Sequence, residues 1–182
     1  MGNIDPNVDC LNDLYPCVGQ FEKSDYFTTD QFSDVLNASP VSVSVLCLNI
    51  RSFNTNAGEL ISMMDSFSKC PDVLVLTETW LTKDVVNMCN LEGYNAYHTV
   101  REGRRSGGVS VFCLRGSVSQ KIEAVCESND KIELCAVDVK CASMTNAIFA
   151  IYRPHSSSIA DITERLMVLT YYYSTKCSKI SR

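Results

Sequence analysis

The run Val73-Leu74-Val75-Leu76, inside DVLVLTE (72–78), most constrains what this chain can fold into. A short, continuously apolar run of this kind reads as a strand buried on both faces, so packed layers are needed above and below it. It then ends in a carboxylate, Glu78, set between Thr77 and Thr79 and beside the only tryptophan, Trp80. A solvated strand end explains the glutamate blandly. A place to hold a metal ion explains it otherwise.

The surrounding pattern extends the layers. VSVSVLCLNI (41–50) alternates and then becomes apolar, as a strand entering a core does, and NTNAGELISMMDSFSK (54–69) spaces Leu60, Met63, Met64 and Phe67 as a helix. Asn56 followed by Glu59 predicts that helix's start, and Pro71 its end. A short helix is expected near Thr82, and the GRRSGG turn (103–108) leads into VSVFCL (109–114). KIELCAVDV (131–139) and NAIFAIY (146–152) are two further strands, after which Ser158 can cap a helix bearing Ile159, Ile162, Leu166 and Leu169 along one side. Strands that follow one another without an intervening helix predict an α/β sandwich with mixed, largely antiparallel sheets.

Residues 1–40 differ from the rest. They carry seven acids and one base, Lys23, a balance of −6 against −5 for the whole chain, so residues 41–182 stand at +1. Without a sustained hydrophobic period they read as an acidic, loosely ordered or weakly helical leader ending at Pro40. The near-neutral remainder neither excludes nor advertises a nucleic-acid surface. No apolar run is long enough to span a membrane, and MGNIDPNVDC lacks the features of a signal peptide. Pro6 stands where a myristoylation pattern wants Ser or Thr. The expectation is a soluble intracellular protein.

Ten cysteines occur without a C-x-x-C, and only His98 and His155 accompany them. Several, such as Cys47, Cys113 and Cys135, sit in apolar strands. Small buried hydrophobes are expected, not a zinc site or a disulfide framework. A P-loop, a G-x-S-x-G elbow and H-E-x-x-H are all absent. What remains is Asn49, Glu78 and Tyr152, each at the end of an apolar strand. An amide, a carboxylate and a phenol suit phosphate chemistry: the carboxylate for Mg²⁺, the amide to orient it, the phenol to donate to a phosphate oxygen. Taken singly, Asn49 is equally a turn residue, Tyr152 a strand-ending aromatic and Glu78 a loop glutamate.

LCLNIRSF, PDVLVLTETWL, LEGYNAYHTVREGRRSGGVSVF and AIYRP occur in this order, and together they resemble the endonuclease/exonuclease/phosphatase superfamily over residues 43–170. The branch they are most similar to is the apurinic-type endonuclease domain of non-LTR (LINE-type) retrotransposons. The resemblance implies a four-layered α/β sandwich, Mg²⁺ and a DNA phosphodiester substrate, hence a nuclear location for an active form. It also implies that Glu78 binds the metal beside Asn49, that Tyr152 stabilises the phosphate, and that Arg104, Arg105 and Arg153 contact the DNA backbone. Repair-type relatives carry an acid where this chain has Arg51, which removes one ligand. The family's Gly-Asp-x-Asn and Ser-Asp-His motifs are absent, so the chain is expected to be a partial sandwich with its second half missing. It should then be inactive by itself, with an uncovered sheet face and exposed strand edges. Two alternatives stand beside this reading: a non-catalytic interaction protein on the same scaffold, or a phosphatase completed by a missing segment.

Overall fold

The computed structural model describes residues 28–38, 43–101, 103, 106–141 and 144–180. Two four-stranded sheets stack face to face. The first has the order β1 (Val45–Asn49), β2 (Val73–Thr77), β4 (Val109–Leu114), β3 (Tyr94–Thr99); β1 and β2 are parallel and the other pairs antiparallel. In the second, β7 (Glu133–Cys141) is central. It pairs antiparallel with β5 (Val118–Lys121) and β6 (Glu127–Ser128) on one side and β8 (Met144–Tyr152) on the other. Helix α1 (Thr29–Ala38) precedes the sheets, α2 (Phe53–Asp65) joins β1 to β2, and α3 (Ile159–Ile180) follows β8.

The alternation of side chains along a strand explains the layers. In β2, Val73 and Val75 face the second sheet, packing with Val109, Val111 and Cys113 against Cys135, Val137, Val139 and Ala150. Leu74 and Leu76 face the other way, with Phe112, onto Phe53, Leu60 and Met64 of α2. On the outer face of the second sheet, Leu134 and Ala136 meet Ile122, Val125 and Leu169 of α3. Each fully buried Val or Leu contributes roughly 1.5–3 kcal/mol of transfer free energy, so the VLVL run of residues 73–76 alone anchors two of the three interfaces.

The described residues thus run helix, sheet, sheet, helix. An uncovered sheet face is expected from the sequence; among the described residues α2 packs on one outer face and Leu169 of α3 on part of the other. Open edges are found: among the described residues β1 pairs only with β2, and β8 only with β7. Helix α1 makes a small polar contact, Asn37 Nδ2 donating to Ser68 Oγ at 2.9 Å. Residues 1–27 and 39–40 of the expected leader, and residues 41–42 after it, lie outside the described residues.

Local expectations fared unevenly. The helix of residues 54–69 begins earlier, at Phe53 after Ser52, and ends at Asp65. Asn56 is not its cap; its amide donates to the carbonyls of Ile50 and Arg51, tying the helix to the end of β1. Near Thr82 there is only a 3-10 turn, Val86–Met88. Ser158 does cap α3, exchanging bonds with Asp161, but only Leu169 of the four expected core residues is buried, with Ile159 and Leu166 exposed. Cys113 and Cys135 are buried as expected, whereas Cys47 is exposed on the edge strand β1.

Candidate phosphodiester site

Parity along the strands brings three of the expected residues together. Asn49 lies on the face of β1 opposite Leu46 and Leu48, which pack towards α2. Tyr152 ends β8 on the face shared by Ile148 and Ala150, between the sheets. Glu78 leaves β2 where that strand stops, and its Oε1 collects both partners: Asn49 Nδ2 donates at 2.8 Å and Tyr152 Oη at 3.0 Å. Asn49 Oδ1 accepts in turn from the Arg51 amide at 3.3 Å. Burial, then the bond to Glu78, raises the Tyr152 pKa, so the phenol remains a donor at neutral pH.

The loops that carry these residues are strained. The only described non-glycine residues with positive φ are Arg51 (45°), Ser52 (87°), Glu78 (54°) and Trp80 (55°), and all lie here. Each such backbone costs on the order of 1–2 kcal/mol, and such conformations persist only where the surroundings over-determine them. The surroundings do so. Ser52 and Phe53 donate their amides to the carbonyls of Glu78 (2.8 Å) and Thr79 (2.9 Å), while Thr79 and Trp80 donate theirs to Gly108 (3.2 Å) and Gly107 (2.8 Å). Three loops are thus stitched backbone to backbone around one carboxylate.

Beneath them lies a residue that sequence reasoning missed. Glu133, opposite Tyr152 in the β7–β8 register, is fully buried between the sheets. Its Oε2 accepts a short hydrogen bond from the Gly108 amide. Its Oε1 forms an ion pair with Arg101 Nη1 at 3.2 Å. Arg101, itself nearly buried, also pairs with Asp130 at 3.0 Å. Burial raises the Glu133 pKa and the nearby Glu78 charge adds to this, while the Gly108 amide and Arg101 oppose it. The glycine pair now has a reason: both have φ near 90°, and a Cβ at Gly107 would sit 2.3 Å from Glu133 Oε1, one at Gly108 2.6 Å from Thr79 Oγ1. The Gly-Gly signal was visible in the sequence, but not what it packs against.

The expected backbone-contacting arginines are not gathered in the same way. Arg104 and Arg105 lie outside the described residues. Arg153 follows Tyr152 and is exposed, but its guanidinium donates to the Ser157 carbonyl at 2.9 Å, bracing the turn before α3.

The donor set suits a hard cation of small protein demand. Glu78 is half-buried and its Oε2 accepts no hydrogen bond among the described residues, leaving one carboxylate oxygen for Mg²⁺, which keeps most of its waters. Among the described residues no group of three or more His, Cys, Asp or Glu suited to a metal occurs.

No protein-family model and no curated protein matches the sequence. Solved structures do. The endonuclease domain of TRAS1, a telomere-specific non-LTR retrotransposon, superposes with a TM-score of 0.51 at 12% identity, over 69% of this chain and 52% of that one. The catalytic domain of Xenopus laevis APE2 gives 0.41 at 16% identity, covering 68% of this chain and 48% of the other. The 3' phosphatase NExo from Neisseria, bound to product DNA hairpin, gives 0.37 at 13%, covering 58% and 40%. The chain therefore shares the fold of the TRAS1 endonuclease domain over about half that domain's length.

Proposed function

We propose that this chain carries the cation- and phosphate-binding part of a Mg²⁺-dependent DNA phosphodiesterase domain. The observation that carries the reading is the convergence of Asn49 and Tyr152, from two different sheets, on one oxygen of Glu78. Asn49 fixes the carboxylate's rotamer, and Tyr152 holds a phenolic proton beside the oxygen, in reach of a phosphate drawn to the site. A bound Mg²⁺ would neutralise phosphate charge and polarise the P–O bond. Asn49 and Tyr152 then supply neutral donors at fixed positions, which cost no reorganisation as charge builds.

Hydrolysis also needs a base for water and a donor for the leaving oxygen. Among the described residues no His or Asp hydrogen-bonds to Glu78, Asn49 or Tyr152; His98 is engaged with Ser110. The chain by itself is therefore expected to bind Mg²⁺ and to turn over slowly or not at all, and an active form acting on DNA would work in the nucleus.

The test is Mg²⁺ binding by the full chain and by Glu78→Ala, followed by calorimetry, with nicking of supercoiled plasmid measured alongside. Binding lost in the variant supports the reading. Equal binding by both, or none by the folded wild type, overturns it and favours a non-catalytic interaction protein on this scaffold.

A further inference from the structure

Two exposed side chains on the loops that carry the site have no task in the account above. Trp80, the only tryptophan of the chain, is 43% exposed although it is the largest apolar side chain present. Leaving an indole in water forfeits more burial free energy than any other side chain would. The backbone beneath it is costly too: φ is 55°, held by the bond from its amide to Gly107, while its neighbour Thr79 is pinned to Gly108. An exposed ring on a strained, doubly anchored backbone is a platform held in place before anything binds.

Arg51 is its counterpart on the adjoining loop. It is exposed, sits at φ 45° and makes no ion pair among the described residues, in contrast to Arg101 and Arg165, which are both paired. The next residue, Ser52, donates to the Glu78 carbonyl, and the Arg51 carbonyl accepts from Asn56, so this backbone is also immobile. An indole two residues after Glu78 and a guanidinium two residues after Asn49, without an ion pair among the described residues, thus stand on the two loops that carry the proposed phosphate site.

We infer that Trp80 and Arg51 form a landing site for unpaired DNA, Trp80 stacking on a base next to the bound phosphate and Arg51 contacting a neighbouring phosphate. This rests on the phosphodiester reading of Asn49, Glu78 and Tyr152. An aromatic face accepts any unpaired base, and stacking of this kind is worth a sizeable factor in affinity, whereas a base inside a duplex keeps its face covered. Arg51 supplies the sequence-independent, salt-sensitive part of binding. The partner is therefore a single-stranded or locally opened stretch and not an intact duplex.

The experiment uses the full chain in EDTA, so that binding is read apart from any Mg²⁺ chemistry. A labelled single-stranded oligodeoxythymidylate is titrated by anisotropy, with a blunt duplex of the same length as comparison. Because Trp80 is the only indole, quenching of intrinsic fluorescence reports stacking at this one position. The expected result is quenching by the single strand, at least several-fold weaker binding of the duplex, and about tenfold weaker binding by Trp80→Ala, with Trp80→Phe retaining most of the affinity. Arg51→Ala should weaken binding and make the slope of log K against log salt shallower by about 0.7. Far-UV circular dichroism checks that the variants are folded, and Arg51→Ala tests the site even where Trp80→Ala does not fold. Unquenched fluorescence at saturation, or affinity and salt slope unchanged in folded variants, overturns the inference. The two readings separate cleanly: quenching without Glu78-dependent Mg²⁺ binding leaves the landing site and removes the phosphodiesterase, and the reverse result does the opposite.

Discussion

Two carboxylates lie close together at one end of the sandwich, Glu78 and Glu133, and they differ in almost every physical respect. Glu78 is half-buried on a left-handed backbone and meets only the neutral donors Asn49 and Tyr152. Glu133 is fully buried in a regular strand and is held by a glycine amide and a guanidinium. The first keeps an oxygen available at the cost of backbone strain. The second has Gly108 and Arg101 as partners and, through Gly107 and Gly108, supports the loop on which the first depends. The proposed function rests on the strained carboxylate, and the support of its loop on the buried one.

The largest expected effect comes from breaking the buried partner. Glu133→Ala leaves Arg101 nearly buried with only Asp130 to pair with, and should destabilise the fold by about 3–5 kcal/mol in urea denaturation. A loss below 1 kcal/mol would show that Glu133 is not the support described.

Gly107→Ala comes next. It forces a Cβ against Glu133 Oε1 at φ 93°, and a loss of about 3 kcal/mol is expected, with Mg²⁺ binding weakened because the Trp80–Gly107 bond is displaced. Intact stability would mean that the turn relaxes freely.

Acid sensitivity sharpens the comparison from a third place. His98, between Ser110 and the edge of Phe112, has its pKa lowered to about 4, by burial first and by Lys121 second, against a backbone bond to Cys89. The unfolded chain takes up this proton near pH 6.5 and the folded chain only near 4, so stability should fall as pH drops across that window, by roughly 3 kcal/mol. Glu133 has the opposite sign: its raised pKa means that, just above the ordinary carboxyl range, the folded state holds the extra proton and stability falls as pH rises. A His98→Gln variant whose urea midpoint still drops between pH 6.5 and 4 would remove the ring from this account.

The smallest stability effect belongs to Glu78→Gly. Relief of the left-handed backbone and the added freedom of the unfolded chain nearly cancel, so a change under about 1 kcal/mol is expected, together with complete loss of Mg²⁺ binding. A large loss of stability would make Glu78 a structural residue and end the contrast with Glu133.

Much of the architecture was legible because it follows from periodicity. β2, β4, β7, β8 and both long helices α2 and α3 lie within a few residues of where apolar spacing puts them. Strand β3, Tyr94–Thr99, was not legible: YNAYHT is polar at most positions and is a strand because β4 pairs along all six residues. The same holds for the four-residue β5, whose Val118 points into solvent. Asn56 looked like a helix cap and instead ties α2 to β1, a choice between local and long-range partners that no local pattern encodes.

By itself the sequence determined the two-faced burial of the VLVL run, the sheet-and-helix order and the placing of Asn49, Glu78 and Tyr152 at strand ends, because alternation and propensity act over a few neighbouring residues. Only the tertiary structure decided that those three meet on one oxygen, that four strained residues gather around it and that Glu133 lies beneath. Those facts depend on strand register and sheet stacking, which join residues as far apart as Asn49 and Tyr152 and are set by the whole core together.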